Sequence, residues 1–582
     1  MQRVAPVAAF LGRVFPRSCR RCCAFIALTA GAFSLRAAES APVALPPFFV
    51  EEIAKGPPWR YANAMGYEIL SRCDERTTRR VIEAHHRLHQ LLEEVLPPSL
   101  QLTWTVPRTL ILYPEELQPK ASREVVEKML RDKTPAPSVD LDLPGGRRMA
   151  MGTPANRRMS FLPNMRLTDR DCMAVFMIVR NDDFDPDKLS LTYDYIVMLV
   201  ANRVPGLPVW FVSGFLDMYR EIETDGGELR AKPLVWISEE HTDVLKHDPA
   251  KAPPVLDLAT FLRTPRPSGP SDDAIPPLKY WQAQAALFVR WGLASGDRKR
   301  REAFWKFVEQ CSLRAPTDDM FRSCFGLDYA TAQPQLAAYL PNAVWVKPVF
   351  APKKFARLDR FPIPLATDAQ VARIKGDLER LEVPFVKHIS PDLVPRYLEQ
   401  ARKTLRRGFE RAPTDAQLLA VMGLSELDAG DSVAARDYLE RGAEHGKMRP
   451  RALYELARLR LVALRSAGEG EGGKLSVSQL AEVLKPLFAA RESQPALHEV
   501  YELMGEAWAA SSAVPTRKHL AVLDEGIRLF PRRVPLMLIA AELYARHGFK
   551  AEADNLVEVA GLLAASDEMK AKVSTLRATL TR

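Results

Sequence analysis

Residues 415–450 read DAQLLAVMGLSELDAGDSVAARDYLERGAEHGKMRP. Within them Gly423, Ala435 and Leu439 are spaced by 12 and 4 residues. At this spacing the small residues let two antiparallel helices approach closely, and the leucine fills the seam between them. The same grammar recurs on either side. Residues 535–563 (PLMLIAAELYARHGFKAEADNLVEVAGLL) place Ala541, Tyr544, Ala553, Val557 and Ala560 at spacings of 3, 9, 4 and 3. Residues 500–531 supply Gly505, Trp508 and a closing Phe530-Pro531, and residues 367–380 supply Gly376. A unit that cannot bury its apolar face alone buries it by stacking on copies of itself.

The stretch from 367 to 582 therefore resembles tetratricopeptide repeats, at least three and up to five, some degenerate. A generic helical bundle is the other reading of these helices. The helices between 451 and 496 are irregular, and the Gly-rich run Gly468–Gly473 reads as a loop inside the array. The resemblance implies a surface for a protein or peptide partner. Upstream, 341–366 carries five prolines and reads as a linker.

Before that linker, Leu191–Tyr219 reads LTYDYIVMLVANRVPGLPVWFVSGFLDMY. The segment Leu207-Pro208-Val209-Trp210-Phe211-Val212-Ser213-Gly214, with Asp217 and Tyr219 after it, resembles the core of peptidase-MA-like, gluzincin-type zinc metallopeptidase domains. In that family a HExxH helix precedes a segment of the form LPxWFxEGxAxY. Counting back 20 residues from Ser213, at the glutamate position, reaches Tyr193 and aligns Tyr193-Asp194-Tyr195-Ile196-Val197 with HExxH. Lys279-Tyr280-Trp281-Gln282-Ala283 and Phe325-Gly326-Leu327 match weaker outer elements, so the likeness covers roughly 105–340.

The resemblance implies a zinc site, and the residues at its positions do not supply one. Two histidines at i and i+4 share a zinc ion, a glutamate between them polarises bound water, and a downstream glutamate completes the ligands. Here the ligand positions hold Tyr193, Val197 and Ser213. Valine has no donor atom, a serine hydroxyl is a poor neutral ligand, and a tyrosine ligates well only as phenolate, from a free pKa of about 10. The general-base position keeps a carboxylate as Asp194, which without a metal is a feeble base for amide hydrolysis. Tyr195, Trp210, Asp217, Tyr219 and Tyr280 are candidates for lining a cleft. No metal and no cofactor are expected, zinc entering only on the alternative reading of an active metal-dependent peptidase or hydrolase with a remodelled site. That alternative would recruit Asp194, Tyr193, His241 or the pair His85 and His89 of the HHRLH run; Glu239, Glu240, His247 and Asp248 could approach the same cleft.

Composition narrows the class. The 582 residues carry 81 Lys+Arg against 72 Asp+Glu, a net charge of +9, with 47% hydrophobic and 26% charged residues. These proportions exclude a disordered chain, a collagen and a small disulfide scaffold. Residues 1–38 contribute six arginines and no acid, so the remainder stands at +9 − 6 = +3, which gives no electrostatic case for nucleic acid. Those residues read as an export signal: five arginines, then an apolar run Cys22–Leu35 too short for a comfortable span, then small residues at Ala37, Ala38, Ser40 and Ala41. A periplasmic or extracellular location follows, with no membrane span in the mature chain. Its four cysteines, Cys73, Cys172, Cys311 and Cys324, allow two disulfides, Cys311 with Cys324 the nearer pair in sequence, or four free thiols.

The expected architecture is an α+β zincin-like N-terminal module followed by an all-α tetratricopeptide-like solenoid. Its segments are a signal peptide over 1–38, a helical preface over 39–104, a degenerate peptidase-MA-like domain over 105–340, a linker over 341–366 and helical repeats over 367–582. The expected function is that of an exported, non-catalytic pseudopeptidase that binds a protein or peptide through its repeats.

Overall fold

A computed structural model describes residues 43–45, 56–95, 108–117, 159–161, 164–179, 203–219, 223–225, 228–264, 266–267, 277–294, 296–351, 356–467, 473–564 and 566–580, together with Val197 and Val200. The described residues begin with β1 (Val43–Leu45), a hairpin of β2 (Arg60–Ala64) and β3 (Tyr67–Ser71), helix α1 (Glu75–Val95), β4 (Arg108–Pro114), β5 (Met159–Phe161), β6 (Asn164–Thr168) and β7 (Met173–Val179). Five of these strands form one sheet in the order β2-β3-β4-β7-β6. β3, β4 and β7 run parallel, and the edge strands β2 and β6 are antiparallel to their neighbours. β1 pairs in parallel with β5.

The central strands are apolar on both faces because both faces are covered. Ile69, Leu110, Leu112, Met173 and Val175 pack with Val81 and Ile82 of α1. Their neighbours Leu70, Ile111, Ala174 and Phe176 point the other way, onto Ile374, Leu378 and Leu381. The alternation has period two, as a pleated sheet requires.

The first module continues through α2 (Val209–Tyr219), the short strands β8 (Glu223–Asp225) and β9 (Glu228–Arg230), then α3 (Glu239–His247), α4 (Leu258–Arg263), α5 (Leu278–Leu293), α6 (Arg298–Leu313), α7 (Asp318–Phe325), α8 (Tyr329–Ala343) and β10 (Val349–Phe350). β10 pairs with β9. α2 and α5 cross at Gly214, where a β-carbon would stand 2.1 Å from the Ala285 carbonyl oxygen.

The preface 39–104, expected to be helical, also supplies the β2–β3 hairpin. The Pro-rich stretch 341–366, expected to be a linker, lies along the first module. Ala356 exchanges hydrogen bonds with the Gln90 side chain (2.8 and 2.9 Å), Pro364 O accepts from Tyr61 N (2.9 Å), and Ala366 N donates to Trp59 O (2.9 Å). Proline stiffens this segment, and backbone partners along it fix it in place.

The rest of the chain is helical: α9 (Asp368–Ile389), α10 (Val394–Arg411), α11 (Ala416–Asp428), α12 (Ser432–His445), α13 (Pro450–Ala467), α14 (Val477–Arg491), α15 (His498–Ala509), α16 (Arg517–Leu529), α17 (Val534–Arg546), α18 (Lys550–Leu563) and α19 (Asp567–Leu580). The first ten pack as five successive hairpins, and α19 closes the end. The first helices of the pairs, α9, α11, α13, α15 and α17, pack one upon the next as a row. Gly423 and Gly505 sit at crossings, where a β-carbon would lie 2.6 Å from Leu439 and 2.3 Å from Ile539. Capping follows the sequence: Asp415 accepts from Leu418 N, Asp431 from Ala434 N, and Thr367 and Ser476 form capping boxes.

The four cysteines are free thiols, Cys73, Cys172 and Cys311 buried and Cys324 half-buried. Of the two readings the sequence leaves open, the structure has the free thiols rather than a Cys311–Cys324 bridge: Cys311 Sγ turns into the core toward Met320 Sδ at 3.7 Å.

Candidate functional site

The row of first helices meets a turn of the first module. Between β6 and β7 the chain reads Thr168-Asp169-Arg170-Asp171-Cys172, closed by Asp169 N donating to Cys172 O at 2.9 Å. Asp171 accepts from Arg449 Nε at 2.9 Å and from Arg449 Nη2, and its second oxygen accepts from the Arg451 backbone N–H at 2.8 Å. That amide opens the first turn of α13, where backbone donors lack helical acceptors and a carboxylate is favoured. Asp169 accepts from Arg380 at 2.7 Å, from Arg449 at 3.3 Å and from Arg451 Nη1. Arg170 points along the row, 3.5 Å from Glu499 and over the Tyr454 ring at 5.7 Å.

The array holds its own arginines in place. Arg380 also donates to Asp377 (2.9 Å) and Asp428 (3.0 Å), and Arg449 to Asp377 (2.8 Å). Asp171 has no exposed side-chain surface and Arg380 only 1%. Burial alone would raise the Asp169 carboxyl, but the Arg380, Arg451 and Arg449 guanidiniums outweigh it and hold it far below the usual carboxylate range. For Asp377, burial is likewise outweighed by Arg449 and Arg380. The turn thus touches α9, α13 and α15, all first helices of their pairs, and reaches Asp428 of α11 only through Arg380 and Arg451. Nothing in the sequence patterns singles out these aspartates; a charged triplet between two apolar strands is the only local signal.

The gluzincin-like positions fall differently. Tyr193, Asp194 and Tyr195 lie outside the described residues. Val197 is helical and half-buried, and Val200 is helical and buried. Ser213 is half-buried on α2. A valine side chain and a lone hydroxyl do not fit a zinc ion, so no chemical step is routed through one. Trp210 and Tyr219, expected to line a cleft, are core residues. Trp210 is packed by Phe288, Phe304 and Phe307 at 5.1–5.9 Å, and Tyr219 by Phe215 at 4.5 Å. Asp217 is exposed, and the Tyr280 hydroxyl donates to Pro254 O.

The histidines do not converge on a metal among the described residues. His85 is half-buried, with its ring 3.3 Å from Met177 Sδ, and desolvation, then Arg166 and Arg108, push its pKa down to about 4. His89 is packed edge-on against Tyr67 and lowered mainly by burial. His241 Nδ1 lies 2.6 Å from Ser238 Oγ at the start of α3, and His247 Nδ1 lies 2.8 Å from the Asp243 carbonyl. These local contacts keep both at their own helix rather than at a shared site with Glu239, Glu240 or Asp248. Asp169, Asp171 and Cys172 bring three possible ligand atoms within 4.8 Å of one another. Arginines already neutralise both carboxylates, and burial keeps the Cys172 thiol protonated.

No protein-family model matches the sequence, and no curated protein matches it either. Among solved structures, the chain is similar to YrrB, described as a TPR protein with an unusual peptide-binding site (15% identity, 34% of this chain and 90% of that one, TM-score 0.26). It is also similar to PilF of Pseudomonas aeruginosa (14%, 37% and 93%, TM-score 0.25) and to a thermophilic TPR protein of Thermus thermophilus (17%, 35% and 99%, TM-score 0.25). The helical repeat itself rests on the five stacked hairpins. No helix among the described residues is long and apolar enough to cross a membrane.

Proposed function

We propose that this chain is an exported, non-catalytic protein-binding protein, periplasmic or extracellular, in which the repeats hold a protein or peptide partner. The first module is read as a degenerate peptidase-MA-like domain, with Tyr193, Val197 and Ser213 at the positions of the three zinc ligands and Asp194 at that of the general base. The observation that carries the binding reading is the row of first helices. Its guanidiniums and a helix N-terminus already grip an irregular segment of polypeptide through that segment's carboxylates. Donors arranged this way recognise extended or turning chain.

Elemental analysis of the untagged mature protein after dialysis against zinc, paired with peptide-display selection with and without a chelator, tests the reading. The expected result is far less than one zinc per chain and peptide enrichment that survives chelation. About one zinc per chain together with chelator-sensitive turnover would overturn it.

A further inference from the structure

At the turn itself the tie to the array is ionic, whereas its flanks Met165, Leu167, Cys172, Ala174 and Phe176 are packed in the apolar core with Ile374, Leu378 and Leu381 of α9. The turn sits at the β6 edge of the sheet, joined to it on one side only by the β6–β7 pairing. Its contacts with the array described above are charged: the carboxylates of Asp169 and Asp171 on Arg380, Arg449, Arg451 and the Arg451 amide, and Arg170 toward Glu499 and Glu455. Guanidinium forks and a helix N-terminus read the positions of two carboxylates, not the residues that carry them. Another segment presenting two carboxylates two residues apart satisfies the same donors.

Resting on the protein-binding reading above, we propose that the Asp169–Arg170–Asp171 turn is a built-in ligand of the row of first helices, and that the partner of this row is an acidic protein segment with an Asp-x-Asp spacing that takes the Arg380/Arg449/Arg451 site when the turn is withdrawn. In the resting chain the site is filled from within. The partner therefore binds by competition, and its apparent affinity falls by the fraction of chains whose Arg380/Arg449/Arg451 site is vacated. Acidic segments lacking the second carboxylate leave a buried guanidinium unmatched and bind poorly.

The probe is a fluorescent peptide of Arg166–Ala174 with serine in place of Cys172, titrated into full-length protein. The D169N/D171N chain, with its own turn unable to compete as a carboxylate, is expected to bind the peptide at least about tenfold more tightly than wild type. R449A in that background is expected to abolish the gain, and a peptide with both aspartates changed to asparagine to show none. A folded D169N/D171N chain that binds no better than wild type overturns the proposal.

Should the double variant fail to fold, wild-type protein decides. Excess peptide is expected to raise amide hydrogen exchange across 164–179, and unchanged exchange at saturating peptide overturns the proposal. Display selection separates the two layers. Enriched peptides without paired acids would overturn the acidic occupant while leaving a peptide-binding repeat. No enrichment on either protein would sink peptide binding itself.

Discussion

Glu382 on α9 has no exposed surface, and neither of its carboxylate oxygens has a hydrogen-bond partner. Burial, then the neighbouring Glu379, push its carboxyl well above the usual range, with Lys375 opposing, so the folded chain holds it neutral. An unmade buried polar interaction costs about 1–3 kcal/mol, and Glu382→Leu is expected to raise stability by about that much, read as a higher denaturant midpoint at pH 7. A lower midpoint would show that the carboxyl has a partner in solution. Single residues of this kind were not legible beforehand. On α9 the helical pattern assigns Gly376 a crossing, where its β-carbon would meet Leu405, but a glutamate among apolar residues reads as solvated until it is seen beside Tyr397 of α10. The same holds for Arg449 and Asp171, far apart in sequence and meaningful only as a pair.

Gly214 shows an element whose role was half visible. The Trp-Phe-x-x-Gly segment marks α2, and the reason for its glycine is the α5 backbone passing over it. Gly214→Ala would push a methyl group against the Ala285 carbonyl and is expected to cost about 1–3 kcal/mol or more through overpacking, measured by thermal unfolding. An unchanged midpoint would mean that the helices separate freely. Helices α1, α2, α5 and α6 were legible because their apolar residues recur with helical period, and β4 and β7 because they are continuous apolar runs. The β2–β3 hairpin was not. Its two turn residues, Met65 and Gly66, have φ of +56° and +70°, as in the primed two-residue turn, but methionine there hides the usual Asn-Gly signal. β6 was missed because an edge strand of mixed polarity looks like loop.

At the scale of the whole molecule, acid should act in two stages. Desolvation lowers the pKa of His85 and His89 in the folded chain, so the unfolded chain binds more protons than the folded one below about pH 6.5. Their contribution is fully present above that pH and is lost as the pH falls, levelling off for His85 near 4. Asp169 and Asp377 are depressed, so their contribution is present above about pH 3.9 and is lost below it. Melting temperature is expected to decline from about pH 6.5 to 4 and then more steeply, and the His85→Leu/His89→Leu chain to lose the first decline only. A flat profile down to pH 4 in wild type would contradict the lowered histidine pKa values. The division into an N-terminal module and a helical array was readable from composition and spacing. The seam was not, because the proline run suggested separation where Arg373 on α9 donates to Glu68 on β3 (2.5 and 2.8 Å) and ties the two together.

The covering of the sheet by α9 has a consequence in time. Leu70, Ile111 and Phe176 are made early, yet the side chains that shield them, Ile374, Leu378 and Leu381, come about 200–300 residues later. At about 5–20 residues per second, synthesis alone leaves that apolar surface bare for roughly ten seconds to a minute. A chain stopped at 366 never shields it. The nascent protein must be held by something else until its first repeat helix arrives, so ribosomes stalled just before α9 should carry a chaperone that those stalled well beyond it have released.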